Sequence, residues 1–131
     1  MNRQAIIERL LDHYDHPRHQ GALAAADVVM PGGIPSCGDT LTIYLKVDAA
    51  SDQISALSFE GHGCTISQAA ASLLAEHLQG QPLATAEFMD DATLFDLIGP
   101  EVARSRPRCA SLALNTLKAA IMSYRRRGAR S

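Results

Sequence analysis

Apolar residues recur along this chain in two periods, and the switches between them set the order of its elements. Ile6, Ile7, Leu10, Leu11 and Tyr14 fall at i, i+1, i+4, i+5 and i+8, which predicts an amphipathic helix over residues 3–15 with Asn2 as its N-cap. Pro17 restricts the residue before it, so that helix should end near His16. Further on, Leu41, Ile43, Leu45 and Val47 alternate with Thr42, Tyr44 and Lys46, the pattern of a strand with one face toward the core. A polar turn over 48–53 leads to residues 54–60, the returning strand of a hairpin, with Leu57 and Phe59 on a shared face. A further strand is expected around residues 27–30.

Helical spacing then returns. Thr65-Ile66-Ser67-Gln68 fits a capping box that opens an alanine-rich helix running to Gln79 and ended by Gly80. Between Pro82 and Gly99 the apolar pieces Phe88-Met89 and Leu94-Phe95 with Leu97-Ile98 are broken by acidic residues, which predicts two short helices. From about Pro107, the positions Ala113, Leu117, Ala120, Ile121 and Tyr124 mark a last helix that runs into arginines. The order helix, strands, helices predicts an α+β fold, a small antiparallel sheet of about three strands with helices packed on one face. No repeat or low-complexity linker divides residues 1–131, so one domain is expected, large enough to bury about two thirds of its unfolded surface without staples.

Composition narrows the function classes. With 47% hydrophobic and 20% charged residues the chain is an ordinary globule rather than a disordered one. No stretch reaches the roughly 18 apolar residues of a membrane span, and the first residues alternate charged and apolar types rather than forming the core of a signal peptide. A cytoplasmic protein without membrane association is therefore expected. The net charge of −2 gives nucleic acid no overall attraction. Arg125-Arg126-Arg127 and Arg130 suit a solvated helix end that complements the helix dipole, or a docking patch for an acidic partner.

The candidate chemistry lies in three cysteines, an odd count that favours metal binding or reactivity over disulfides in a reducing compartment. Their placement separates them from the core pattern. Cys37 follows Pro31-Gly32-Gly33-Ile34-Pro35, Cys64 follows Gly61-His62-Gly63, and Cys109 follows Arg106-Pro107-Arg108. Cys64 and Cys109 fall at predicted helix starts, where the partial positive charge favours thiolate. Asp39 stands two residues after Cys37, with Gly38 letting the backbone bend between them. Cys37, Asp39, Cys64 and Cys109 together make four metal ligands, three sulfurs and one oxygen, which suits zinc and also iron–sulfur chemistry. Three inert core thiols are the plainer alternative. Arg108 is either a solvated neighbour of Cys109 or the cation that keeps it ionised. His62 reads as an exposed loop residue and stays outside the site, and His13, His16 and His19 cluster at a helix end.

Taken together, Cys37-Gly38-Asp39, Phe59-Glu60-Gly61-His62-Gly63-Cys64-Thr65-Ile66-Ser67 and Arg108-Cys109-Ala110 resemble, in matching order, the U-type iron–sulfur scaffold family of IscU, SufU and the NifU N-terminal domain. Asp12-His13-Tyr14-Asp15-His16-Pro17-Arg18 looks like the family's N-terminal signature. The resemblance implies a SufE/IscU-like fold and a scaffold that is not an enzyme. In such a scaffold Cys37, Asp39, Cys64 and Cys109 bind zinc or a transient 2Fe-2S cluster. It further implies that a cysteine, with Cys37 the candidate, accepts sulfur from a cysteine desulfurase of the SufS or IscS kind, and that the cluster passes to apo iron–sulfur proteins. A zinc-dependent sulfurtransferase that builds no cluster is the alternative. The IscU branch carries a histidine before the third cysteine and a Leu-Pro-Pro-Val-Lys motif recognised by an Hsp70-type chaperone. Here Arg108 takes the histidine's place and the docking motif is absent. Arg106, three residues before Cys109, looks like the SufU branch, and a pair with Asp39 is expected of it, with Arg106 and Arg108 both flanking the ligands. The 44 residues between Cys64 and Cys109 are closer to the IscU length. Ile34 stands where the family commonly has asparagine.

The histidine cluster becomes, on the same resemblance, a candidate partner surface.

Overall fold

The structure, a computed structural model, describes residues 2–34 and 38–130, with side chains described as far as Arg127. Cys37, the candidate sulfur acceptor, therefore lies outside the described residues. The elements run α1 (Arg3–Asp15), β1 (Val28–Ile34), β2 (Asp39–Asp48), β3 (Gln53–His62), α2 (Thr65–Leu78), α3 (Leu83–Glu87), α4 (Asp91–Ile98), α5 (Pro100–Ser105) and α6 (Pro107–Arg130).

The three strands form one antiparallel sheet in the order β1-β2-β3. Alternation makes its inner face: along β2, Asp39, Leu41, Ile43, Leu45 and Val47 are buried while Thr40, Lys46 and Asp48 are exposed. Helices α2 and α6 cover that face, giving the predicted α+β layers. Every residue of α2 from Ser67 to Ala75 is buried, because it is enclosed by α1, α6 and β3, and its alanines let these neighbours come close. The two edges of the sheet differ. Along β3, Phe59 exchanges backbone hydrogen bonds with His19 and Gly21, and Ile54 does so with Gly80 and Gln81. Among the described residues, nothing pairs with the outer edge of β1.

Several local expectations change. Asn2 caps α1 as predicted, its side chain accepting from the Ala5 N–H at 2.8 Å. The cap of α2, however, is Cys64 rather than Thr65, and its sulfur accepts the Ser67 N–H. The 82–99 segment holds the two short helices, but Gly99-Pro100 opens a third instead of closing the region. Gly99 adopts φ 127°, and Pro100 takes the first helical position of α5, where its missing N–H costs nothing. The histidine cluster is not one surface: His13 is buried, with Nδ1 2.7 Å from Ser72 Oγ. The signature around it is a clamp, since the Arg18 N–H also donates to Ser72 Oγ and its guanidinium pairs with Asp12 at 2.7 Å. No helix among the described residues is long and apolar enough to cross a membrane.

Candidate metal centre

Three chain segments bring one ligand atom each to the same place. Asp39 opens β2 and points inward with the strand's apolar positions, Cys64 caps α2, and Cys109 lies in the first turn of α6. A carboxylate oxygen of Asp39 and the sulfurs of Cys64 and Cys109 all lie within 4.8 Å of one another. Tetrahedral coordination with metal–sulfur bonds near 2.3 Å separates neighbouring ligand atoms by about 3.7 Å, so this spread fits a metal-sized centre after small side-chain adjustments.

The backbone around the centre is built for closeness. Gly38 sits at φ +71°, a left-handed conformation that turns the chain into β2 without a Cβ penalty. A Cβ at Gly63 would come 2.8 Å from the Asp39 carboxylate and from Ser67 Oγ. Glycine is thus required there for Asp39 to reach the start of α2. Asp39 Oδ1 accepts the Cys64 N–H at 3.2 Å, and Ser67 Oγ donates to the Cys64 carbonyl at 3.0 Å. Asp39 Oδ2 accepts the Cys109 thiol at 3.3 Å. Gly63 and Ser67 are positioning residues that the ligand pattern alone did not single out; the Gly-x-Gly before Cys64 was their signal.

Burial decides the charge state. Cys109 is 4% exposed, and its thiol is pushed up to about 12, first by loss of solvent and then by the neighbouring Cys64 and Asp39. This overturns the expectation that its helix start would favour thiolate. The dipole of α6 does not offset removal of a thiolate from water beside a carboxylate. Without a cation, Cys109 is a protonated donor, and only a cation among the three groups would favour its ionised form.

The two arginines do not join this centre. Arg106 and Arg108 are both exposed, and the predicted Arg106–Asp39 pair is not formed, since Asp39 is committed to Cys64 and Cys109. Arg108 instead lies along a surface depression with Ile34 and Ser111, which favours the solvated reading. His62 is exposed at the end of β3, as expected.

Comparison with known proteins places this geometry in a family. The NifU-like N terminal domain profile matches residues 6–131. The chain is 33% identical to the iron–sulfur cluster assembly scaffold protein IscU of Aquifex aeolicus over 89% of its own length and 74% of that protein. It is 29% identical to IscU of Buchnera aphidicola from Acyrthosiphon pisum, covering 94% of this chain and 97% of the other. A crystal structure from Fervidobacterium islandicum, described as a candidate iron–sulfur cluster assembly scaffold for the SUF system, superposes with a TM-score of 0.72 at 28% identity, covering 92% of this chain and 99% of that one. The chain belongs to the NifU-like N-terminal domain family, the U-type family whose motifs it carries.

Proposed function

We propose that this protein is an iron–sulfur cluster assembly scaffold in which Cys37, Asp39, Cys64 and Cys109 hold zinc or a nascent 2Fe-2S cluster before its transfer to apo-proteins. The observation that carries the reading is the convergence of Asp39, Cys64 and Cys109 within 4.8 Å. The relatives named as IscU scaffolds supply the functional class. A hydrophobic core drawn from all nine described elements supports treating residues 1–131 as one functional unit.

The donor set explains why the cargo can leave. Thiolates bind soft cations firmly, whereas a carboxylate is a harder and more easily exchanged ligand. Asp39 is also the residue whose oxygens have alternative partners ready, the Cys64 N–H and the Cys109 thiol. Sulfur enters from a cysteine desulfurase. A thiolate of this chain, with Cys37 as the acceptor, attacks the outer sulfur of the enzyme's persulfide, and the sulfur–sulfur electron pair returns to the desulfurase thiolate. The site acts in the cytoplasm, and no nucleic acid takes part.

Reconstitution tests this directly. With a cysteine desulfurase, cysteine and ferrous iron under anaerobic conditions, the protein is expected to develop 2Fe-2S visible circular dichroism and pass it to an apo-ferredoxin. Cys64→Ala and Cys109→Ala should each abolish the signal, and retention of it in both would sink the assignment. A second reading, a zinc-dependent sulfurtransferase, is favoured by the SufU-like Arg106 spacing. Faster desulfurase turnover without cluster formation would select it.

A further inference from the structure

The free edge of β1 and the overhanging face of α6 form a trough that neither the candidate ligands nor the fold requires. Helix α6 packs against β1 through Thr116, which sits directly on Gly32. Its next stripe, Arg108, Ser111, Asn115, Ala119, Met122 and Arg126, repeats every three or four residues and projects past the strand. Two adjoining depressions, about 490 and 640 Å³, run along this step and share Asn115 and Ala119. Met30, Ile34, Leu112 and Met122 give it an apolar floor, and Met122 is 54% exposed.

Charge and edge chemistry identify the occupant. Arg108, Lys118, Arg126 and Arg127 line the trough in a chain whose net charge is −2, and among the described residues no Asp or Glu lines its two depressions. Glu87 lies in the depression that adjoins Lys118, Met122 and Arg126. Lys118 and Arg127 donate to backbone oxygens of Met89 and Asp27, and neither forms a salt bridge among the described residues, although Lys118 feels the nearby Asp90 carboxylate. Arg126 has only the Met122 sulfur as a side-chain partner among the described residues. By contrast, Arg125, which shares that neighbouring depression with Lys118, Met122 and Arg126, is paired with Glu87 and Asp52. The β3 edge is closed by the segments at His19–Gly21 and Gly80–Gln81, whereas β1 keeps its outer backbone groups unpaired among the described residues. From Arg108 to Arg126 the helix rises about 27 Å, the length of about eight extended residues.

We propose that this trough receives an extended acidic segment of a partner protein, added as a fourth strand beside β1, with alternate apolar side chains on the α6 floor and carboxylates against the arginines. The like charge of two troughs disfavours a second copy of this chain in the same place. The proposal does not depend on metal binding at Asp39, Cys64 and Cys109. The bound segment would end beside Arg108, one residue from Cys109, so a partner held there would be brought to the ligand end of α6.

The test is fluorescence anisotropy with a labelled peptide of about eight alternating Glu and Val residues, run in chelator with reductant, at about 50 and about 300 mM salt. Binding that weakens with salt is expected, together with amide shifts confined to residues 30–34 and the α6 stripe. Arg126→Glu and Ala119→Arg should each weaken it by about tenfold or more, the first by charge reversal and the second by filling the trough while adding positive charge. Circular dichroism melts confirm that both variants fold. Unimpaired binding to Ala119→Arg would overturn the proposal, because simple electrostatic attraction would survive that change. Equal binding of a lysine–valine peptide or of a short oligothymidine would overturn it too, as would self-association through β1 in sedimentation or no binding at all.

Discussion

The Cys109 sulfur lies 3.3 Å from Asp39 Oδ2, a contact between residues seventy positions apart in the chain. It joins the start of β2 to the start of α6. Because Asp39 Oδ1 also takes the Cys64 N–H, one carboxylate ties both cysteines together before any cargo arrives. Asp39→Ala leaves the Cys64 N–H and the buried thiol without their acceptor. The metal-free protein should lose about 1–3 kcal/mol in urea unfolding. The same exchange removes the more labile donor, so a bound cluster should persist longer than in the parent. An unchanged cluster half-life would count against the release role.

Loading must displace the Cys109 proton, since burial and its neighbours push that thiol up to about 12. Zinc uptake near neutral pH should therefore release protons, and apparent affinity should rise with pH. The linkage sign for the metal-free fold runs the other way. A thiol raised from 9.0 to about 12 contributes stability that is present below 9 and is lost as pH climbs through the folded value. Calorimetric proton counts in two buffers of different ionisation heat check the first statement, and a Cys109→Ser variant should release fewer protons.

His13 gives the opposite pH dependence. Burial, followed by Arg18, lowers its pKa from 6.5, while Glu76 and Asp12 partly oppose this and Arg9 adds to the lowering. The folded state then binds fewer protons than the unfolded one just below 6.5, so this stabilisation is present above that pH and is lost as pH falls toward the lowered value. Thermal unfolding should show a lower Tm at about pH 5 than at about pH 7. His13→Gln should reduce that difference; an unchanged slope would place the titrating group elsewhere.

Gly32 offers a packing test of how α6 is seated. A Cβ there would overlap Thr116 Oγ1, so Gly32→Ala should destabilise by about 1–3 kcal/mol. Adding Thr116→Ala removes the obstructing atoms, and the double variant should recover part of the loss in urea unfolding. Purely additive losses would show that the two residues do not meet.

The sequence carried the sheet and the ligand set in different ways. The alternation at Leu41, Ile43, Leu45 and Val47 was legible because one face of β2 is buried, and Asn2 was legible because a cap is a local device. The α2 cap was displaced by one residue because cap scales favour Thr over Cys, whereas the sulfur takes the Ser67 N–H in this fold. The third short helix was hidden by Gly99-Pro100, a pair that can end one helix or begin another. Asp39, Cys64 and Cys109 stood out through turn placement and the family motifs, while their separation depended on long-range packing of α6 against β2 and of α2 against β3 and α6. Arg106 was misplaced for the same reason: spacing along the chain does not reveal that Asp39 already has both of its partners.

The most direct measurement of the central claim is zinc, iron and acid-labile sulfide per chain after anaerobic purification without chelator, in the parent and in Cys64→Ala and Cys109→Ala. The account predicts bound metal in the parent, with sulfide matching iron wherever iron is present, and its loss in both variants. Metal-free parent protein, or metal retained in both variants, would contradict it.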